Sequence, residues 1–416
     1  MRATYAFVIC FALLTSCASA QPFEREVKVA SMDALQKAIE NCPRSYSRRE
    51  QSCQIKLPPG TIRGHWKIGG ESTTSTQVAV CLIGQGPGWG STAPDGKPGA
   101  GGTTLVYDGP EGGTMVDFVA GDFPCLRDLT LAMDGAAVGL RISANNPASA
   151  TTQFPYLERV SIRGSGRRPG GIGLQITGAT KNDQVDALLA QSLEIQDVDV
   201  GIEVDSDQAV TNRIGPGSKI SALSAAVRIR RGSLSLDGVL AQCRTANCCT
   251  YDLLEGHGYF RVRDGYHEIG VPPAANAKLL CLLRGSGAAS GSWHSVSITE
   301  SYVNVQCDSS KAPCSIDLLD GASNAGVTFR DNWIVASGGP GPPENRNVRV
   351  RMRGPAGSPR LVWAGNILVP SMKIFSQIDP RVRVEAIVSD DAGRIWNDRN
   401  LDGQWESSEP RMVSGQ

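Results

Sequence analysis

Three groups of residues carry side chains whose types and spacing could do chemistry. The sharpest is Asp398-Arg399-Asn400-Leu401-Asp402-Gly403-Gln404-Trp405-Glu406-Ser407-Ser408-Glu409. Oxygens of Asp398, Asn400, Asp402, Gln404 and Glu406 recur at alternate positions and can converge on one hard cation. Gly403 permits the sharp turn, and Glu409 can close the shell with both oxygens. The ion expected is calcium, in a structural role that locks the end of the chain. A solvated acidic tail without an ion is the plainer alternative.

The second group is the densest polar cluster of the chain: His257, Tyr259, Arg261, Arg263, Asp264, Tyr266, His267 and Glu268. Proton abstraction beside a carboxylate needs a cation to neutralise that carboxylate and a base to take the proton. Arg261 or Arg263 could do the first; His257, Tyr266 or His267 could do the second. Loop residues with satisfied hydrogen bonds are the plainer reading. The third group is a set of arginines alternating with apolar residues. Arg228 and Arg230, Arg261 and Arg263, Arg349, Arg351 and Arg353, then Arg381 and Arg383 all follow this pattern. On a strand, alternation puts the arginines on one face. Stacked in register, they would form a basic stripe suited to carboxylates or sulfates. Exposed strand faces also carry arginine simply to deter edge pairing.

The elements that must position these groups are short strands. Only one clear helix signal occurs: Ser31 as N-cap, then Leu35, Ala38, Ile39 and Cys42 at helical spacing. Val185 to Leu193 is the one later stretch with a helix-like pattern, and it lacks caps. Elsewhere alternating runs echo one another. Cys125-Leu126-Arg127-Asp128-Leu129-Thr130-Leu131 returns as Tyr156-Leu157-Glu158-Arg159-Val160-Ser161-Ile162. Gly139-Leu140-Arg141-Ile142 returns as Gly173-Leu174-Gln175-Ile176, Gly201-Ile202-Glu203-Val204 and Ala226-Val227-Arg228-Ile229. Strands recurring this often, with no helix between them, predict a solenoid in which each coil stacks on the last. Asn332 and Asn366, each between two short strands, suit turns whose side chains bond from rung to rung.

Composition sets the compartment. Lys plus Arg and Asp plus Glu both number 41, so the net charge is zero, which argues against a nucleic-acid partner. Residues 1–20 read as a signal peptide: Arg2, an apolar run from Tyr5 to Leu14, then Ala18-Ser19-Ala20. Leu13-Leu14-Thr15-Ser16-Cys17 also fits a lipobox, so free secretion and a lipid anchor at Cys17 both stand, and the anchor is the sole membrane link expected. The ten later cysteines are read as disulfides, with Cys42–Cys53 and Cys307–Cys314 as local pairs. A metal knuckle at Cys243, Cys248 and Cys249 is disfavoured.

A capping helix, then Leu57-Pro58-Pro59-Gly60-Thr61, Val78-Ala79-Val80-Cys81-Leu82-Ile83-Gly84-Gln85-Gly86 and Thr103-Thr104-Leu105 together resemble the opening of pectin-lyase-like β-helix proteins. Gly256-His257-Gly258 is similar to a polygalacturonase tripeptide, but the Asn-Thr-Asp and paired Asp-Asp of those enzymes have no counterpart at matching positions. The tail, with Gly393-Arg394-Ile395-Trp396-Asn397-Asp398, looks like an EF-hand-like calcium loop of secreted bacterial proteins. The fold expected is therefore all-β: a single-stranded right-handed parallel β-helix with an N-terminal capping helix and a short C-terminal calcium-loop tail. Boundaries fall at 21–75 for the cap, 76–388 for the β-helix and 389–416 for the tail. The resemblance is specific for fold; the arginines and the polar cluster add the expectation of a secreted or surface protein that binds acidic polysaccharide and, if it is an enzyme, acts on uronic acids as a pectate-lyase-like lyase by β-elimination or as an epimerase. A non-enzymatic adhesion protein and a glycoside hydrolase are the alternatives.

Overall fold

A computed structural model describes residues 23–26, 31–42, 53–69, 79–87, most of 101–378, 383–389 and 395–397. The calcium-loop residues, the leader with Cys17, and His257 lie outside them.

The chain winds as a right-handed parallel β-helix with three strands per coil. Successive coils build three parallel sheets, here named A, B and C. One coil runs through Gly258–Arg263 in sheet A, Tyr266–Ala275 in sheet B and Leu279–Gly285 in sheet C. The next repeats the path with Trp293–Thr299, Tyr302–Asp308 and Cys314–Ala322. The echoes in the sequence are pairing partners: Leu126 lies over Leu157, and Leu140, Leu174, Ile202 and Val227 form one column. Coils sit about 4.8 Å apart, the spacing of hydrogen-bonded strands, so residues in register share a column along the axis.

Inward columns are aliphatic and form one continuous core, from Leu35 at one end to Trp363 and Leu368 at the other. The helix Met32–Glu40 closes the first coil. Ser31 Oγ accepts from Ala34 N at 3.2 Å, and Leu35 and Ile39 turn into the core. The cap is tied down by Cys42–Cys53. Cys81–Cys125 and Cys249–Cys281 join neighbouring rungs, and Cys243–Cys248 closes a corner, so the three cysteines of the suspected knuckle are all in disulfides. Cys314 is disulfide-bonded too; the side chain of Cys307, its expected partner, is not described. Among the described residues no helix is long and apolar enough to cross a membrane.

Val185 to Leu193 is not helical. It forms strands Gln184–Asp186 and Leu189–Gln191 with a corner at Ala187, φ 58°. Val185, Leu188, Ala190 and Leu193 are all buried. A corner that resets the alternation gives them a spacing that mimics a helix.

The corner from sheet A to sheet B is built the same way in coil after coil. A residue in the left-handed region turns the chain: Asp128, Arg159, Ser192, Gly217, Gly238, Asp264, Glu300, Asp331 and Gly365. The residue after it faces inward and, in later coils, joins a polar ladder. Gly265 N donates to Ser301 Oγ at 3.1 Å, Ser301 N to Asn332 Oδ1 at 3.0 Å, and Asn332 Nδ2 to Asn366 Oδ1 at 2.8 Å. The asparagines thus bond between rungs as the sequence suggests, but the left-handed turn belongs to Asp331 and Gly365 beside them. Asn332 also donates to Ile298 O at 2.9 Å. Replacing Asn332 by Ala strands buried partners at Ser301 and Ile298, each costing about 1–3 kcal/mol when unpaired. Asn332→Ala should lower the denaturant unfolding free energy by roughly 2–4 kcal/mol; a loss under roughly 0.5 kcal/mol would show that the ladder is ornamental.

Candidate functional site

The arginine-bearing strands belong to different sheets. Arg261 and Arg263 lie on sheet A, whereas Arg228, Arg349 and Arg351 lie on sheet C. No single basic stripe forms. On sheet C the outward column reads Lys67, Asp117, Arg141, Gln175, Glu203, Arg228, Asp252, Arg284, Asp320, Arg351. Cations and carboxylates alternate along it. Asp252 pairs with Arg284 at 2.9 Å and with Arg228 at 3.6 Å, and Asp317 takes Arg349 at 2.8 Å and Arg351 at 2.5 Å. Arg230 is half-buried on the same strand as Arg228, and the side chain of Arg353 is not described. Arg141, Arg228, Arg284, Arg349 and Arg351 each already pair with a carboxylate of a neighbouring rung, so these cations offer little to an anionic ligand.

The histidine-rich cluster is also divided. His267, a candidate base by sequence, is fully buried. It stands in the inward column Ile195, Ile220, Ala241, His267, Val303, Ile334. Its Nδ1 shares a hydrogen bond of 3.0 Å with the Tyr251 hydroxyl across the core. Gly265 makes room for it, since a Cβ there would lie 2.4 Å from His267 Cε1. Burial depresses the His267 pKa to about 3 and raises that of Tyr251. This imidazole is neutral and cannot reach a ligand at the surface. Tyr266 points outward, but burial and the neighbouring Glu268 carboxylate raise its pKa, the wrong direction for a base.

What the fold does bring together is a row of exposed rings on sheet B. Leu240, Tyr266, Tyr302, Trp333 and Ile367 occupy one outward column. Tyr266 is 38% exposed, Trp333 54% and Ile367 43%. Tyr266 and Tyr302 stack at 5.0 Å and 16°, so they present ring edges and hydroxyls to solvent. Trp333 is turned 71° from Tyr302, out of that stack. The parallel column beside them is polar: Gln242, Glu268 and Asn304. Tyr266 Oη donates to Glu268 Oε1 at 3.2 Å, and Gln242 Nε2 donates to the same carboxylate.

On the other side of the row runs the A-to-B corner with Asp264, Glu300 and Asp331, all exposed or nearly so, and beyond it the cations of sheet A. Arg263 pairs with Glu300 at 3.1 Å and Arg330 with Asp331 at 2.9 Å. Arg261 instead lies over the Tyr259 ring, 4.7 Å from its centroid, and no carboxylate among the described residues pairs with it. Tyr302 and Trp333 are absent from the candidates read by sequence. A signal was there: Asp264-Gly265-Tyr266, Glu300-Ser301-Tyr302 and Asp331-Asn332-Trp333 repeat acid, small or polar residue, aromatic.

No family model matches the chain, and no curated protein does. Solved structures do match it. A DFA-IIIase from Arthrobacter chlorophenolicus A6 in complex with GF2 is 13% identical, over 87% of this chain and 93% of that one, with a TM-score of 0.49. The polygalacturonase from Erwinia carotovora ssp. carotovora is 13% identical, over 88% and 96%, at 0.47. An alginate lyase from Paenibacillus sp. str. FPU-7 is 13% identical, over 86% and 99%, at 0.37. These are likenesses of fold, and they leave the chemistry to the surface itself.

The buried histidine has a measurable consequence. Its folded pKa lies below its ordinary value of 6.5, so the folded state resists protonation. The stability it permits is complete above about pH 6.5 and falls as pH drops toward 3, by roughly 3 kcal/mol at pH 4. Denaturant unfolding at pH 7 and pH 4 should show a markedly smaller acid loss in His267→Gln than in wild type. Equal acid losses in the two proteins would mean that His267 is protonated in the folded state.

Proposed function

We propose that the protein is an exported β-helix that binds a polysaccharide chain laid along sheet B beside its corner with sheet A. The observation that carries this is Trp333, more than half exposed and in one row with Tyr302, Tyr266 and Ile367. A ring that size is ordinarily buried, and a row of them on an outward face marks a contact surface. The C–H bonds of a pyranose ring meet the negative face of an indole favourably. Gln242, Glu268 and Asn304 alongside can exchange hydrogen bonds with sugar hydroxyls. The guanidinium of Arg261 on the adjoining sheet A, without a carboxylate partner among the described residues, adds a preference for a glycan that carries carboxylates.

Binding is favoured over β-elimination because the two candidate bases among the described residues are unsuited to it: His267 is enclosed and the Tyr266 phenol is held up in pKa. We further propose that the leader exports the chain, either free or held by lipid on Cys17. Calcium at Asp398, Asn400, Asp402, Gln404, Glu406 and Glu409 is proposed to order the tail, in a structural role and not a catalytic one.

Retention on immobilised polyuronates and neutral glucans tests the reading. Trp333→Ala and Tyr302→Ala should each weaken retention about tenfold, the equivalent of one lost stacking contact of about 1.4 kcal/mol. Arg261→Ala should weaken polyuronate retention alone. Undiminished retention in the double variant Trp333→Ala, Tyr302→Ala would remove the row from consideration. Unsaturated uronate appearing in the ultraviolet during incubation would establish elimination and overturn the preference for simple binding.

A further inference from the structure

The corner where sheet C turns into sheet A has its own aromatic pair, far from the row on sheet B. Phe123 and Phe154 hold equivalent corner positions in consecutive coils, both in the left-handed region, at φ 57° and 55°. Ala187 and Thr211 take the same place in the next two coils, at φ 58° and 56°. The backbone therefore does not demand an aromatic there, and left-handed φ is unfavourable for a bulky side chain. The two rings stack at 5.0 Å and 11°, and Phe154 is 43% exposed. Neither ring contributes to the continuous core.

The residues just before them form a polar rail. Asp122 bridges to Gln153, and Gln153 is in register with Asp186. Gln153 Nε2 donates to Gln184 Oε1 at 3.3 Å, and Asp186 Oδ1 accepts from Val210 N at 2.8 Å. Asp122 is only 9% exposed, and its Oδ1 has no hydrogen-bond partner among the described residues. A buried polar oxygen without a partner is rare enough to need a reason. No cation pairs with Asp122 or Asp186 among the described residues. Burial raises the pKa of both carboxyls, as expected for acids without a counter-charge.

We infer that this corner is a second saccharide site, separate from the sheet B row, with Phe123 and Phe154 as its apolar platform and Asp122, Gln153 and Asp186 as its hydrogen-bonding rail. Its ligand is an uncharged, hydroxyl-rich sugar. A hydroxyl supplies the donor that Asp122 Oδ1 lacks, and the phenyl rings take the C–H face of the same sugar. An anionic glycan is disfavoured, because its charges would meet two carboxyls with no cation between them. The site begins several coils before Tyr266 and faces another edge, so one short oligosaccharide cannot span both.

The test uses the full chain carrying Trp333→Ala and Tyr302→Ala, which disables the sheet B row, titrated calorimetrically with neutral gluco-hexaoses of β-1,4, β-1,3 and α-1,4 linkage and with a hexauronate. One equivalent of a neutral hexaose should still bind, and the hexauronate should not. Adding Phe154→Ala should weaken that binding at least tenfold, and adding Asp122→Asn, which keeps shape but alters the acceptor, about fivefold or more. Unchanged unfolding midpoints would separate these losses from misfolding. Absence of residual neutral binding, or residual binding indifferent to Phe154→Ala and Asp122→Asn, overturns the second site. Failure of the sheet B reading looks different: Trp333→Ala, Tyr302→Ala then binds like wild type while Phe154→Ala still weakens it.

Discussion

The structure depends on register between coils. Parallel pairing sets residue over residue every ~4.8 Å, so a side chain's neighbours along the axis are fixed by positions about 20 to 50 residues away. An inward residue must suit the column above and below it. His267 shows how strict this is: it interrupts an aliphatic column, and three positions adapt to it. Ala241 in the preceding rung is small, Gly265 gives up its side chain to the ring, and Tyr251 supplies the hydrogen bond. The polar residue is accommodated at the cost of its basicity. A buried imidazole with one partner stays neutral, and that alone removes it from surface chemistry.

The same register decides the electrostatics of the outer walls. Where cations and carboxylates alternate down a column, as on sheet C from Lys67 to Arg351, charges meet the opposite sign in a neighbouring rung, and Asp252 is matched on both sides, by Arg228 and by Arg284. Partly buried pairs such as Asp252 with Arg284 and Arg228 gain from this arrangement because removing one charge leaves the others unmatched. A wall of this kind holds coils in register and repels nothing. Opposite signs in successive rungs favour one pairing over a slip by one coil, which a uniform basic stripe would not do.

Much of the coil was legible in the sequence because its two signals are local. Alternation marks strands, and the echo of Leu126 by Leu157 or of Leu140 by Leu174 and Ile202 marks register. The sheet to which a strand belongs is not local. Arg261 and Arg351 have the same alternating surroundings, yet they lie on different faces because the loops between strands vary in length. A stripe inferred from alternation alone therefore merged two walls. The helix-like spacing of Val185, Leu188, Ala190 and Leu193 misleads for a related reason: a corner shifts the phase of burial without leaving the coil. The aromatic row escaped notice because its members are 36 and 31 residues apart (302 − 266, 333 − 302). They look unrelated until the corner residues before them are aligned.

The placement of that row follows from the corners. Between sheets A and B the turn spends two residues in each of the later coils: Asp264-Gly265, Glu300-Ser301, Asp331-Asn332. A left-handed residue followed by an inward residue, bonded to the next rung, is a turn of constant length, so the residue after it always points outward at the same place. The connections from C to A differ from coil to coil: Leu253 to Gly258, Gly285 to Trp293, Ala322 to Val327, Arg353 to Arg360. A platform that must run straight over several coils therefore belongs beside the constant corner. Any outward side chain there can change without disturbing the core, whereas Asn332 or Ser301 beneath it cannot.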